Sequence, residues 1–158
     1  MNNLIEINNL KKIFNLSSSK ELLIFDNLNF NITNKSITSI VGPSGSGKST
    51  LLNILGLLDS NYIGNYLFEG KTVSSLNSNN LSYIRNKKIG FIHQFFYLIP
   101  ELTVLENVLL PGLINTNKIS LITDEACKLL DVFEFFDKKN MKPNKLSGGE
   151  QQRVALAR

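Results

Sequence analysis

Alternation of apolar and polar positions opens the chain. Leu4-Ile5-Glu6-Ile7, Leu22-Leu23-Ile24-Phe25 and Leu28-Asn29-Phe30-Asn31-Ile32 combine period-two spacing with β-branched and aromatic residues and predict strands. Ile37-Thr38-Ser39-Ile40-Val41 is a further β-branched run that stops at Gly42, and from Lys48 to Leu58 the residues Leu51, Leu55 and Leu58 recur at helical spacing. The predicted order there is strand, glycine loop, helix. Tyr66-Leu67-Phe68 and Lys71-Thr72-Val73, separated by Glu69-Gly70, predict a hairpin with a tight turn. The polar stretch from Ser74 to Asn80 reads as a loop leading into a helix, and Ile89-Gly90-Phe91-Ile92 as another strand. From Thr103 the spacing becomes helical: Thr103 to Leu110, stopped by Pro111-Gly112, then Thr123 to Phe136, then a helix opening near Ser147. Glu150 to Arg158 carries neither a glycine cap nor a proline stop, which predicts a helix still running at the last residue.

This order, sheet first and helices later with no internal repeat, predicts a single continuous domain, and the length of 158 residues suits one. Apolar residues make up 42% and charged residues 19%, the balance of a chain that buries a core. The net charge of +4 is spread out, with only short pairs such as Lys11-Lys12, Lys87-Lys88 and Lys138-Lys139, so a solvated surface explains the cations better than a nucleic-acid tract. Cys127 is the only cysteine, which excludes an internal disulfide and fits a reducing compartment. Met1 to Glu6 lacks the basic-then-apolar pattern of a secretory leader, and runs such as Leu51 to Leu58 fall well short of a membrane span. A membrane role is expected to come through a partner.

The chemistry concentrates at Gly42-Pro43-Ser44-Gly45-Ser46-Gly47-Lys48-Ser49, which fits the phosphate-binding pattern of glycine, four residues, then Gly-Lys-Ser/Thr, between a predicted strand and a predicted helix. Glycines are needed because the backbone must curl until successive N–H groups face phosphate oxygens, with no side chain in the way. The helix that follows adds the partial positive charge of its N-terminus. Lys48 is expected to reach the β- and γ-phosphates, the Ser49 hydroxyl to hold Mg²⁺, and Thr50 to meet the α-phosphate side. This loop alone leaves kinases, GTPases and transport ATPases open.

A second motif narrows the choice. Leu146-Ser147-Gly148-Gly149-Glu150-Gln151-Gln152-Arg153 resembles the signature sequence of ABC ATPases. In that family the serine and the N–H groups of Gly148 and Gly149, at a helix start, take the γ-phosphate held by an opposite subunit; the plainer reading is a loop with Ser147 as an ordinary N-cap. Gln94 stands where the family has a glutamine that contacts Mg²⁺ or the attacking water and touches the membrane partner; otherwise it is a surface amide. Phe14 falls where the family stacks an aromatic on adenine; the alternative is a core residue. His93 and Cys127 have no chemical partner nearby in sequence and read as packing residues.

Ile84 to Phe91 and Leu98 to Val108, with Glu150 in place of the commoner glutamine, resemble the lipoprotein-releasing branch, the LolD type, and its macrolide-exporter relatives. The resemblance implies an α/β P-loop NTPase domain with an N-terminal antiparallel β-subdomain and a helical subdomain, truncated before the second acidic strand. Residues 1–93 would carry the nucleotide-binding core and β-subdomain, and 94–158 the Gln94 loop, helical subdomain and signature helix. It further implies ATP and Mg²⁺ as ligands, a second ATPase subunit paired head to tail, transmembrane permease subunits, and a peripheral place on the cytoplasmic side of the inner membrane. The family's catalytic glutamate and switch histidine follow the signature helix, so the chain as given is expected to lack turnover. Two other readings stay open: a non-hydrolysing nucleotide-binding fragment, and an ABC ATPase acting on nucleic acid. The roughly fifty residues between Gln94 and Leu146 leave no room for the long coiled-coil arm of the latter.

Overall fold

The computed structural model describes residues 3–17, 20–114 and 118–158. They form two compact units, divided between Ile89 and Gly90.

The first unit is a four-stranded sheet carrying two helices. Strands β1 (Asn3–Ser17), β2 (Lys20–Thr33), β3 (Ile63–Phe68) and β4 (Lys71–Thr72) lie in the order β2-β1-β3-β4, all antiparallel. β1 runs past Ile7 because β2 pairs with it along almost its whole length, joining the two short runs from Leu22 and Leu28 into one strand. The hairpin is not regular. Its register shifts between Ile7 and Leu10, where Asn9 takes the left-handed conformation at φ 54° and its N–H is satisfied by the Asn29 side chain at 2.7 Å. β3 crosses this bulge at Gly64, where a Cβ would lie 2.4 Å from the Asn9 carbonyl oxygen; only glycine allows the approach.

Helix α1 (Lys48–Leu55) packs Leu51, Ile54 and Leu55 onto a sheet face made of Ile5, Ile7, Leu10, Tyr66 and Phe68. The Tyr66 hydroxyl donates to the Leu55 carbonyl at 2.8 Å, and burial pushes its pKa well up. Helix α2 (Ser78–Lys88), capped by the Asn77 side chain, lays Leu81 and Ile84 against the same core, and Arg85 donates to the Leu57 carbonyl at 3.0 Å.

The second unit is helical: α3 (Val104–Leu113), α4 (Ile119–Val132) and α5 (Gly148–Ala157), with short 3₁₀ turns at Phe136–Lys138 and Pro143–Lys145. Val104, Val108, Ala126, Leu130, Phe135, Leu146, Val154 and Ala157 form its core. Thr103 and Glu106 close a capping box at the start of α3. Asn107, fully buried, donates to the carbonyls of Ile99, Leu102 and Thr103 and accepts the Ile99 N–H, which ties down the turn before the helix.

Several expectations change. Ile37–Val41 and Ile89–Ile92 are not strands: every ladder among the described residues is antiparallel and lies within the set β1, β2, β3 and β4, and these two runs have no pairing partner. Ile37 is 98% exposed and Val41 86%. α1 ends at Leu55 rather than Leu58, where Gly56 and Leu57 at φ 58° turn the chain out of the helix. α3 runs through Pro111 to Leu113, so the proline falls within its last turn and does not stop it. α4 starts earlier and stops earlier than the spacing from Thr123 to Phe136 predicts.

Candidate functional site

The loop from Gly42 leads directly into α1, whose N-cap is Gly47 at φ 88°. A side chain there would be strained, and its Cβ would lie 2.5 Å from Ile24 Cγ2 and 2.9 Å from the Phe25 ring, so β2 acts as a wall against which the loop is pressed. Glycine as N-cap has a chemical consequence. No side chain caps α1, so the first N–H groups of the helix, at Lys48, Ser49 and Thr50, have no cap acceptor and keep the helix's partial positive charge unanswered. Within the loop, the Ser46 N–H donates to the Pro43 carbonyl at 3.3 Å, while Ser44 and Gly45 are exposed. Lys48 arches back over the loop, its ammonium donating to the carbonyls of Gly42 at 2.9 Å and Pro43 at 2.7 Å. Two of its three donors close the loop. Ser49 is exposed in the first turn. This arrangement can bind a chain of phosphates through backbone donors, an ammonium and a hydroxyl.

Phe14 lies on β1 opposite Leu22 and is 39% exposed, so it is not a core residue. Its neighbour corrects the sequence reading: Lys12, expected among the solvated cations, is 1% exposed and ion-paired to Asp59 at 2.7 Å. Sequence gives no signal for this pair because Asp59 is 47 residues away.

In the second unit, Ser147 is the N-cap of α5 and forms a full capping box with Glu150. The Ser147 N–H and hydroxyl donate to Glu150 Oε2 at 2.7 and 2.8 Å, and the hydroxyl accepts the Glu150 N–H at 3.4 Å. Lys138 holds the other carboxylate oxygen. The Lys138 ammonium, then the Ser147 N–H and hydroxyl, pull the Glu150 carboxyl down to about 2. Gly148 and Gly149 are exposed, with open space where a Cβ would stand. Ser147 is thus an N-cap as its plainer reading has it, and the same geometry presents two glycine N–H groups at a helix start. Lys138, like Lys12, escaped the sequence reading.

Gln94 is exposed on the rim of a cavity of about 440 Å³ lined also by Phe95, Tyr97, Pro100, Pro143 and Gln151. Arg158 holds this segment by donating to the carbonyls of Tyr97 at 2.7 Å and Phe96 at 3.2 Å. His93 is exposed and its ring stacks on Phe91 at 4.4 Å, with Tyr97 edge-on at 5.0 Å. Among the described residues no group of three or more His, Cys, Asp or Glu could hold a metal ion.

A glycine loop closed by a lysine and delivered to an uncapped helix is the phosphate-binding element of P-loop nucleotide-binding proteins. A family model described as ABC transporter matches residues 25–158, and the chain belongs to that family. Among curated relatives, the chain is 44% identical over 158 residues to the lipoprotein-releasing system ATP-binding protein LolD 1 of Chlorobium chlorochromatii, covering 99% of this chain and 64% of that protein. It is 42% identical to LolD of Wigglesworthia glossinidia brevipalpis over 160 residues, covering 100% and 69%, and 44% identical to LolD of Aquifex aeolicus, covering 100% and 68%. The chain therefore spans about two thirds of the length of these relatives. Its fold matches the dimeric structure of a bacterial ABC transporter cassette with a TM-score of 0.84 at 40% identity, over 97% of this chain and 67% of that one. It also matches a dimeric post-hydrolysis state of the same cassette bound to ADP and Pi, with a TM-score of 0.85 at 39% identity, over 97% and 67%.

Proposed function

We propose that this chain is the nucleotide-binding part of an ABC transporter ATPase that couples ATP binding and hydrolysis to the release of lipoproteins at the inner membrane. The observation that carries the reading is the glycine-capped start of α1. Its uncapped N–H groups, the ammonium of Lys48 and the Ser49 hydroxyl offer a polyphosphate its donors at one place. Gly42, Pro43, Ser44, Gly45, Ser46 and Gly47 form the cradle, Lys48 meets the β- and γ-phosphates, and Thr50 the α-phosphate side. Ser49 would offer Mg²⁺ its hydroxyl and Gln94 its amide oxygen, and the ion would supply neutralisation of phosphate charge. Phe14 offers its exposed ring to adenine. Ser147, Gly148, Gly149 and Glu150 address the γ-phosphate carried by a second ATPase subunit.

The LolD relatives support lipoprotein release as the work done, and the dimeric cassettes support a second subunit. No helix among the described residues is long and apolar enough to cross a membrane. Permease subunits as separate partners and a peripheral place on the cytoplasmic side of the inner membrane complete the proposal. Residues 1–158 act as one ABC ATPase domain in this reading, with 1–93 as nucleotide-binding core and β-subdomain and 94–158 as the Gln94 loop, helical subdomain and signature helix.

The test is ATP binding by the purified chain with Mg²⁺, beside Lys48→Ala, with phosphate release followed in the same samples. Binding that drops at least about tenfold in the variant, the loss of one charge-assisted contact to phosphate, is expected. Binding indifferent to Lys48 would sink the reading. Phosphate release separates hydrolysis by this chain from nucleotide binding alone.

A further inference from the structure

Lys12 is a charged residue to which the proposed roles assign nothing. Its side chain is 2% exposed, and its ammonium meets Asp59 Oδ2 at 2.7 Å and Oδ1 at 3.0 Å, donates to the Asn61 carbonyl, and lies 4.7 Å from the centre of the Phe14 ring. Burying an ammonium is unfavourable unless its protons are all taken, and an apolar residue of similar size in such a place is often no worse for stability. Packing alone therefore does not explain a lysine here. Its contact with Phe14 supplies a reason.

The anchor is rigid. The Asp59 N–H donates to the Asn53 carbonyl of α1 at 3.2 Å, and Asp59 Oδ1 accepts the Asn61 N–H at 2.9 Å, so the carboxylate that grips Lys12 is built into the turn leaving the helix. The phosphate loop is tied to the same stretch of sheet: Lys12 pairs in register with Phe25, whose ring bounds Gly47. Cation, aromatic ring and glycine loop are thus connected through neighbouring positions of β1 and β2, and Phe14 keeps 39% of its surface exposed.

We propose that Lys12 is a positioning residue for the nucleotide base: its buried ammonium, anchored by Asp59, fixes the Phe14 ring as the platform on which a purine stacks. This rests on the reading of Phe14 as the adenine contact. A ring held in one orientation loses less freedom when a base lands on it. Lys12 touches no phosphate in this scheme, so its effect belongs to the base alone.

The experiment compares the affinity of the full 158-residue chain for ATP and for inorganic tripolyphosphate, each with Mg²⁺. Lys12→Met is expected to weaken ATP about tenfold, on the order of one stacked base, and to leave tripolyphosphate within about twofold. Phe14→Leu should act the same way, and the double variant should be no weaker than Phe14→Leu alone. Equal losses for the two ligands in Lys12→Met, or no loss for either, overturn the proposal. If Phe14→Leu lowers the ratio of ATP to tripolyphosphate affinity and Lys12→Met does not, the role of Lys12 alone fails. If Phe14→Leu leaves the ratio unchanged, the adenine reading fails and takes the role of Lys12 with it. Should Lys12→Met not fold, Asp59→Asn, which weakens the anchor and keeps the ammonium, is measured in its place under the same expectations.

Discussion

Two helix starts in this chain have different N-caps and end in opposite states. At α5 the N-cap is a serine, which closes its own donors onto Glu150; at α1 it is a glycine, which closes none. Restoring a side chain at the second is therefore expected to damage binding before stability. Gly47→Ala meets Ile24 and Phe25 and a backbone at φ 88°, so the loop must shift, and ATP affinity measured by titration calorimetry should fall at least about tenfold while the α1 core remains packed. Glu150 makes a pH prediction. Its folded carboxyl titrates at about 2, below the ordinary 4.5, so its contribution to stability is complete above the unfolded value and is lost as pH falls toward 2. A carbon-detected NMR titration should place its midpoint near 2, and Lys138→Ala should move it upward, because Lys138 is the largest of its causes. At this scale the sequence is legible where adjacent residues set the local geometry, as in the glycine loop that leads into α1 and the Ser147 N-cap of α5. It was silent on Lys12 and Lys138, whose partners stand 47 and 12 residues away. A lysine beside another lysine looks solvated until the fold supplies a carboxylate.

Among the elements, the helices were easier to foresee than the sheet. Thr103 and Ser147 announce their helices, and Thr103→Ala should cost about 1 kcal/mol in urea unfolding. Asn107 is the costlier position: with its amide gone, partly buried carbonyls at Ile99 and Leu102 lose their donor, and Asn107→Leu should destabilise the second unit by about 1 to 3 kcal/mol. Nothing in the spacing marks Asn107, which occupies an apolar-facing turn of α3. The spacing resolves the sheet only into separate short runs because the bulges at Asn9 and Asn27, both in the left-handed conformation, interrupt the alternation without ending the strands. The opposite error, at Ile37–Val41 and Ile89–Ile92, has a related origin. Side-chain type selects extended backbone, but a strand exists only when another backbone lies beside it.

For the molecule as a whole, family membership rests on residues 25–158, and the chain spans about two thirds of its LolD relatives. One feature of the first unit governs how the chain behaves in a tube. Ile37 to Val41 is β-prone, without a ladder partner among the described residues, and nearly bare at both ends. Such a segment is a template for the same segment of another molecule, and the net charge of +4 opposes the encounter. Raising ionic strength screens that repulsion. Light scattering should therefore grow faster than linearly with concentration and steepen with added salt, and Ile37→Lys should delay its onset. The practical bound on every binding measurement is then colloidal: titrations have to run dilute and at low salt, where the chain is still counted in single molecules.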